Sequence, residues 1–377
     1  MIYFDNAATT PVDKDVLECY NKNVFRYFAN PSSIHYLGIE AFNVIEKTKT
    51  DILKKLKLDP NLYQIIFTSS ATESNNLAIL GYSLRNHNRG NTIVTTKIEH
   101  ASVLEVFKIL EEKYKFNVRY LNVDENGKFI DEEINEYIND DTILVSLSRV
   151  NNELGLILDS QKIKKRVDEF PKCVLHLDLA QTIGKAELNF DFGDLATISS
   201  HKIRGLKSIA CLIKKKKINL EPLLYGGGQE YGLRSSTMDT ALILSFKLAI
   251  DKIIDNFSKN TLKVQYFFDF LKCELLKIDE IILHTYKNQS PYILNFSLKT
   301  KKASVVVEAL SNLEIYVSSV SACSSKREEP SHVLLGLNKS LDEAKNSIRL
   351  SFSHLNTIDE ARIFVTKLKE IIAKIRS

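Results

Sequence analysis

The chain has 377 residues, of which 26% are charged and 44% hydrophobic, a composition of ordinary soluble proteins at a length that usually divides into two domains. A net charge of +4 gives no expectation of nucleic acid or anionic membrane as partner, and the apolar runs fall short of the roughly 18 to 20 residues of a membrane helix. The opening MIYFDNAATTP has neither the basic region nor the apolar core of a secretory signal, and Cys19, Cys173, Cys211, Cys273 and Cys323 form no CxxC pair, so a cytoplasmic protein with reduced thiols, no disulfide framework and no metal site is expected.

From about residue 62 to 214, short β-branched runs alternate with helix-like stretches, the pattern of parallel strands joined by crossover helices. The predicted strands are 64–68, 92–96, 117–122, 142–147, 173–177, 195–199 and 208–213, which together read as a doubly wound α/β domain. Ligands of such sheets sit beyond the carboxyl ends of the strands. Polar residues follow directly there: 69–73, His100, Asn151 with Asn152, Asp178 with Gln181, and 199–202. The basic run 214–217 closes the last of these strands and is expected to be a solvated strand end. Residues 240–280 are helical in pattern and bridge to a second unit that begins near a strand at 292–297. A helix at 303–312, a strand at 314–317, a polar loop and a strand near 348–352 follow. A last helix carries apolar Ile358, Ala361, Phe364, Leu368, Ile371 and Ile375. This second unit is a smaller α+β domain.

Four segments could carry chemistry. In IFTSSATESNNL (66–77), a strand runs into a helix through Ser70, Ala71, Thr72 and Glu73. That is a capping-box spacing, and the same free N–H groups at a helix start also hold an anion. In VLHLDLAQTIGK (174–185), Asp178 follows an apolar strand, where a carboxylate needs a cationic partner. Either a Lys or Arg or the protonated pyridine nitrogen of a cofactor meets that need. In LATISSHKIRGLKS (195–208), Lys202 stands beside Ser199 and His201, as a solvated strand-end lysine or as an amine able to form a Schiff base. In SSVSACSSKREEPSHVL (318–334), Cys323 occupies a polar loop near Lys326 and Arg327, which lower a thiol pKa, with Glu328 and Glu329 opposing them. The other cysteines sit in apolar strands or helical patterns, the setting of inert thiols. Two more segments, ANPSSIHYLG (29–38) and YGGGQEYGLRSST (225–237), are polar; the three glycines 226–228 make a loop or a close backbone approach.

Taken in order, YFDNAATTP, NPSSIH, TSSATESNN, KIEHASV, VNNELG, HLDLAQTIGK, SSHKIRG, GGGQEYGLRSST, SACSSKREEPSHVL and SIRLSF span nearly the whole chain. This series resembles the cysteine desulfurases of the NifS/IscS type, in the class V aminotransferase-like group of fold-type I pyridoxal-phosphate (PLP) enzymes. The resemblance implies an α/β fold-type I PLP-dependent transferase fold. A large, doubly wound, mostly parallel sheet domain would span 13–258, and a smaller α+β domain would combine 1–12 with 259–377. It implies that Lys202 carries PLP, that Asp178 pairs with the pyridine nitrogen and that His100 stacks on the ring. Gln181 and Asn152 would face the ring's phenolic oxygen, while Ala71, Thr72, Ser199, Ser200 and His201 would form the phosphate cradle. Thr237 would reach the phosphate of a neighbouring subunit, which implies a homodimer with shared active sites. Arg349, helped by Asn30, would hold the carboxylate of L-cysteine. Cys323 would take its sulfur as a persulfide, leaving alanine, and pass it to an acceptor protein such as an iron–sulfur scaffold or into thio-modification.

The sequence departs from the family pattern at Ser70, where Gly is usual, at Leu206 and Ser208, where Pro and Gly are usual, and at Tyr231, where Arg is common. These positions put acceptor choice and loop geometry in question before the reaction class. A selenocysteine lyase or another class V lyase or aminotransferase would use the same cradle. A non-catalytic scaffold would have no reason to keep Lys202, Asp178, His100, Arg349 and Cys323 together.

Overall fold

The computed structural model describes residues 1–124, 127–319 and 329–375. Its strands in chain order are β1 Ile2–Tyr3, β2 Tyr63–Thr68, β3 Thr92–Thr96, β4 Asn117–Leu121, β5 Thr142–Ser148, β6 Val174–Asp178, β7 Leu195–Ser199 and β8 Ala210–Lys215. They continue with β9 Ile281–His284, β10 Ile293–Leu298, β11 Ile315–Tyr316, β12 Ser318–Ser319 and β13 Ser347–Ser351. Seven form one sheet in the order β2-β8-β7-β6-β5-β3-β4. The neighbours from β7 to β4 pair in parallel, and β8 runs against both β7 and β2. The sheet is therefore mostly parallel, as expected, with one reversed strand. Its reversal follows from chain length: residues 200–209 are too few for the crossover of a dozen or more residues that a parallel return requires.

Every residue of β3, β5, β6 and β7 is buried, because helices cover both faces of the sheet. On one face the apolar cluster joins Ile45, Ile52, Phe246 and Ile250 to the strands; on the other it joins Leu77, Tyr82, Val103 and Phe107. A separate cluster fills the space between the four-stranded sheet β12-β13-β10-β9 and the helices Phe257–Leu275 and Ile358–Lys374. Ile2 and Phe4 belong to this cluster. The Phe4 ring meets Phe267, Phe352 and Phe364 edge-on at 5.5, 5.5 and 5.6 Å, and cutting it back to alanine would cost about 3–5 kcal/mol. Among the described residues, no helix is long and apolar enough to cross a membrane.

Three expectations are corrected by the structure. Lys214 is not solvated: it is buried, and its Nζ donates to the carbonyls of Lys215, Lys216 and Ile218. Burial lowers its pKa to about 8. Lys215 is half-buried and pairs with Asp194 at 2.9 Å, and Lys216 and Lys217 are the exposed members of the run. Secondly, the strand predicted from 208 begins at Ala210, because Ser208 takes a φ of 64°, outside the extended range. Thirdly, the structure adds the short strand β9 and the helices Lys14–Arg26 and Tyr36–Lys55 to the predicted set.

Candidate active site

A cavity of about 370 Å³ opens beyond the carboxyl ends of β5, β6 and β7. Its wall brings together Ala71, Thr72, His100, Asn152, Asp178, Gln181, His201, Lys202 and Arg349 from the expected set, with Ala7, Ala8, Ser70, Ser102 and Ser148 beside them.

Asp178, the last residue of β6, is buried. Its two oxygens accept from Asn75 Nδ2 at 2.8 Å and from the amide of Ala180 at 2.9 Å. Among the described residues no Lys or Arg forms an ion pair with it; the protonated pyridine nitrogen of a cofactor, the other partner open at the outset, would supply the cation. On the opposite side Lys202, in the turn Ser200–Lys202 that follows β7, donates from Nζ to the carbonyls of Ala7 and Ala8 at 2.6 and 2.8 Å. The N-terminal segment is tied to that turn, since Thr10 donates to the His201 carbonyl and accepts from the Arg204 amide.

His100 caps the helix Ala101–Glu112. Its Nδ1 accepts from the Ser102 amide at 3.1 Å, with the Ser102 hydroxyl at 2.9 Å, so in the neutral ring the proton sits on Nε2. The ring is exposed to solvent because it faces the open cavity, yet the protein around it still acts on its titration. Burial lowers its pKa, with Asp178 opposing and Lys202, His332 and Arg349 assisting. Next to it Glu99 is fully buried, bonded to Thr96 Oγ1 and to the amide of Ser148, and burial pushes its pKa up to about 7.

Ser70 caps the helix Ala71–Asn86 by accepting from the Glu73 amide at 3.2 Å. The reciprocal arm of the expected capping box goes elsewhere: Glu73 accepts from the amide and hydroxyl of Ser69, and pairs with Arg234 at 2.8 Å. The free N–H groups of that first turn face the cavity with Thr72. His201 lies on the same wall, its Nδ1 3.1 Å from Thr9 Oγ1, and burial ahead of Lys202 lowers its pKa to about 4.

Arg349, on β13, is buried and donates to the Asn152 carbonyl and to Asp5 Oδ1, each at 3.0 Å. Gln181 donates from Nε2 to the Ala7 carbonyl at 2.8 Å and accepts at Oε1 from Lys185 at 2.5 Å.

Other expected residues stand apart from the cavity wall. Ser199 and Ser200 are buried, and their hydroxyls have no partner among the described residues. The Ser200 hydroxyl occupies the place a side chain on residue 205 would need, 2.0 Å from such a Cβ, which explains Gly205. Thr237 is exposed and lines a separate cavity with Ser69, Arg234 and Ser236. Asn30 is exposed, and its Oδ1 accepts from the Ser32 amide. Cys323 lies outside the described residues. The sequence reading missed Asp5, Asn75, Ser102 and Lys185. Asn75 had a signal, since it follows Ala71 by one helical turn and therefore shares its face. Asp5 had a signal of the same kind as Asp178, since it directly follows the apolar run Met1 to Phe4.

The class-V aminotransferase family model matches residues 2–364. The chain belongs to this family. It falls with the cysteine desulfurases of the NifS/IscS type. It is 34% identical to cysteine desulfurase IscS 1 of Archaeoglobus fulgidus over 380 residues, covering 100% of this chain and 98% of that one. It is 35% identical to cysteine desulfurase IscS of Dictyoglomus turgidum, again over 380 residues, covering 100% and 95%. A solved NifS-like protein superposes with a TM-score of 0.90 at 33% identity, covering 99% of this chain and 100% of that one. Class-V aminotransferases use PLP, and the cavity fits it: a buried carboxylate with no cation paired to it among the described residues, an amine in the same wall, and a helix N-terminus for a phosphate.

Proposed function

We propose that the chain is a cysteine desulfurase that removes sulfur from L-cysteine, with Lys202, Asp178 and Arg349 arranged around PLP. The observation that carries this reading is the shared cavity: Asp178, uncompensated by any cation among the described residues, faces the same space as Lys202 and Arg349. PLP, when bound, supplies an electron sink for the pair left at the substrate Cα.

The side chains divide the remaining work. Lys202 would carry the cofactor and then hold and return the Cα proton. Asp178 would keep the pyridine nitrogen protonated, while Asn75 and the Ala180 amide hold its carboxylate in place. The planar fork of Arg349 suits a substrate carboxylate. His100, neutral and donating through Nε2, would cover the ring. Cys323 as thiolate would attack the substrate sulfur. The new S–S bond forms as the Cβ–S bond breaks, the electron pair goes to Cβ, and protonation there gives alanine and a persulfide on the enzyme. The role of Cys323 rests on the motif SACSS. The phosphate roles of Ser199, Ser200 and His201, and the help of Asn30, rest likewise on the sequence resemblance, as does the domain division (1–12 and 259–377 apart from 13–258).

A homodimer is part of the same reading. The segment 25–42 exposes Phe25 (83%), Phe28, Ile34 (94%), Tyr36 and Phe42, a density of large apolar groups that a second copy would cover. Phe42 shares a cavity with the glycine loop and Tyr231, which places this face beside the loop leading to Thr237. Thr237 would then act toward the partner's site. The sulfur would pass to an acceptor protein, an iron–sulfur scaffold or a thio-modification enzyme.

The test compares wild type with Lys202→Ala and Cys323→Ser for visible absorbance with PLP, and for alanine and sulfide released from L-cysteine. Lys202→Ala is expected to lose the cofactor band, and Cys323→Ser to keep it while releasing no sulfide. An active Cys323→Ser removes that thiol from the mechanism. A wild type that turns over selenocysteine or an amino donor faster than L-cysteine overturns the desulfurase reading.

A further inference from the structure

Lys185 is a buried amine that the proposed reaction does not use. It is 6% exposed, and lysine is almost never this buried unless paired. Among the described residues no carboxylate lies within ion-pair distance, and its amine donates to Gln181 Oε1 at 2.5 Å. Burial, assisted by Lys202 and Arg349, holds its pKa well below the lysine range. A neutral amine still carries two N–H groups, so it still donates to that oxygen.

The consequence falls on Gln181, whose amide has one accepting and one donating end. Its Nε2 donates to the Ala7 carbonyl at 2.8 Å, and the same carbonyl accepts from Lys202 Nζ at 2.6 Å. Turned over, the amide could donate to a neutral Lys185, but its Oε1 would then confront the Ala7 oxygen with no proton between them. Only one orientation satisfies both neighbours. Lys185 thus sits two hydrogen-bonded steps from the Ala7 carbonyl that also holds the cofactor lysine.

We propose that Lys185 is a positioning residue, which fixes the Gln181 amide with its N–H₂ end toward Ala7 and the cofactor cavity. This deepens the PLP reading of the cavity and rests on it. It also explains why an amine costly to bury is present: an apolar side chain there would pack without that cost but would leave Gln181 Oε1 without its donor and the amide held at its Ala7 end alone.

The experiment uses the full chain as wild type, Lys185→Met, Gln181→Leu and the double variant. Each is measured for melting without PLP and for the pH midpoint of the visible absorbance with PLP. Lys185→Met is expected to melt no lower than wild type and to move the midpoint by about half a pH unit or more, an energy typical of one weakened hydrogen bond. Gln181→Leu is expected to move it the same way, and the double variant no further than either. A wild-type midpoint in Lys185→Met, or additive shifts in the double variant, overturns the proposal. So does a Lys185→Met chain that fails to fold, or that loses PLP while Gln181→Leu keeps it, since each assigns Lys185 a structural role. A wild type with no PLP-dependent band removes the cofactor reading instead; the coupling of the two substitutions in melting without PLP then decides whether Lys185 positions Gln181.

Discussion

Arg349, in the wall of the cofactor cavity, forms an ion pair with Asp5 at 3.0 Å, and the second arm of the same guanidinium is held by the Asn152 carbonyl at 3.0 Å. The fork is therefore oriented before any substrate carboxylate arrives. A lysine at this position is a point charge without the planar fork that fixes both partners and leaves a donor edge aimed at a carboxylate. Arg349→Lys is expected to raise KM for L-cysteine about tenfold to a hundredfold, the value of one charge-assisted hydrogen bond. Steady-state kinetics check this, with an unchanged visible band showing that the cofactor stays.

Asp178 predicts opposite effects on activity and stability. Asp178→Asn removes the charge that would keep the pyridine nitrogen protonated, and turnover should fall by a factor on the order of 10² to 10³. It also removes a buried carboxylate with no cation beside it among the described residues, so the chain without PLP should melt higher than wild type. A substitution that lowered both would mark Asp178 as a support of the fold.

Glu99 has its folded pKa pushed up to about 7 by burial, against roughly 4.3 in an unfolded chain. The folded state therefore binds the extra proton between those values. Its contribution to stability is fully present below about pH 4 and is lost as pH rises through about 7. Glu99→Gln imitates the protonated carboxyl and escapes that loss. The variant and wild type are expected to unfold alike near pH 4, and the variant to gain about 3 kcal/mol over wild type by pH 8. Denaturant titrations across that range measure the difference.

Tyr231, which replaces a common arginine, lies with its ring 4.5 Å from Lys49 Nζ and donates from its hydroxyl to Glu46 at 3.2 Å. Lys49 also pairs with the buried Glu230 at 3.2 Å. Restoring the family residue brings a second cation to a buried ammonium and removes a cation–π contact. Tyr231→Arg is thus expected to lower stability by about 1–2 kcal/mol, read as a lower melting temperature.

The strands at 92–96 and 195–199 were legible to the residue, because apolar β-branched runs end there in polar turns. The direction of β8 was not, since periodicity carries no sense of direction and only the shortness of 200–209 hints at it. Strand β9 is four residues following a long helix, too brief for a pattern. Lys214 misled for a physical reason: in a lysine run nothing distinguishes the one whose amine caps three carbonyls. Asp178, His100 and Lys202 were legible as polar residues at the ends of buried strands. Lys185 and the carbonyls of Ala7 and Ala8 were not, because a helper's role depends on which atoms it faces.

Ala7 reaches Ser351 across 344 positions of sequence, its amide donating to that hydroxyl at 2.8 Å, and Ser351 in turn donates to the Phe4 carbonyl. The segment from Phe4 to Ala7 is therefore held in part by residues synthesised 344 positions after it. Domains generally mature as they emerge, but here the large sheet can assemble while the segment that offers its carbonyls to Lys202 still lacks its contact with Ser351. Chains halted before β13 would carry the lysine without Arg349 and without that contact. The wall of the cavity is accordingly complete only when residues 347–351 have joined it, and the place for a substrate carboxylate is expected to form last.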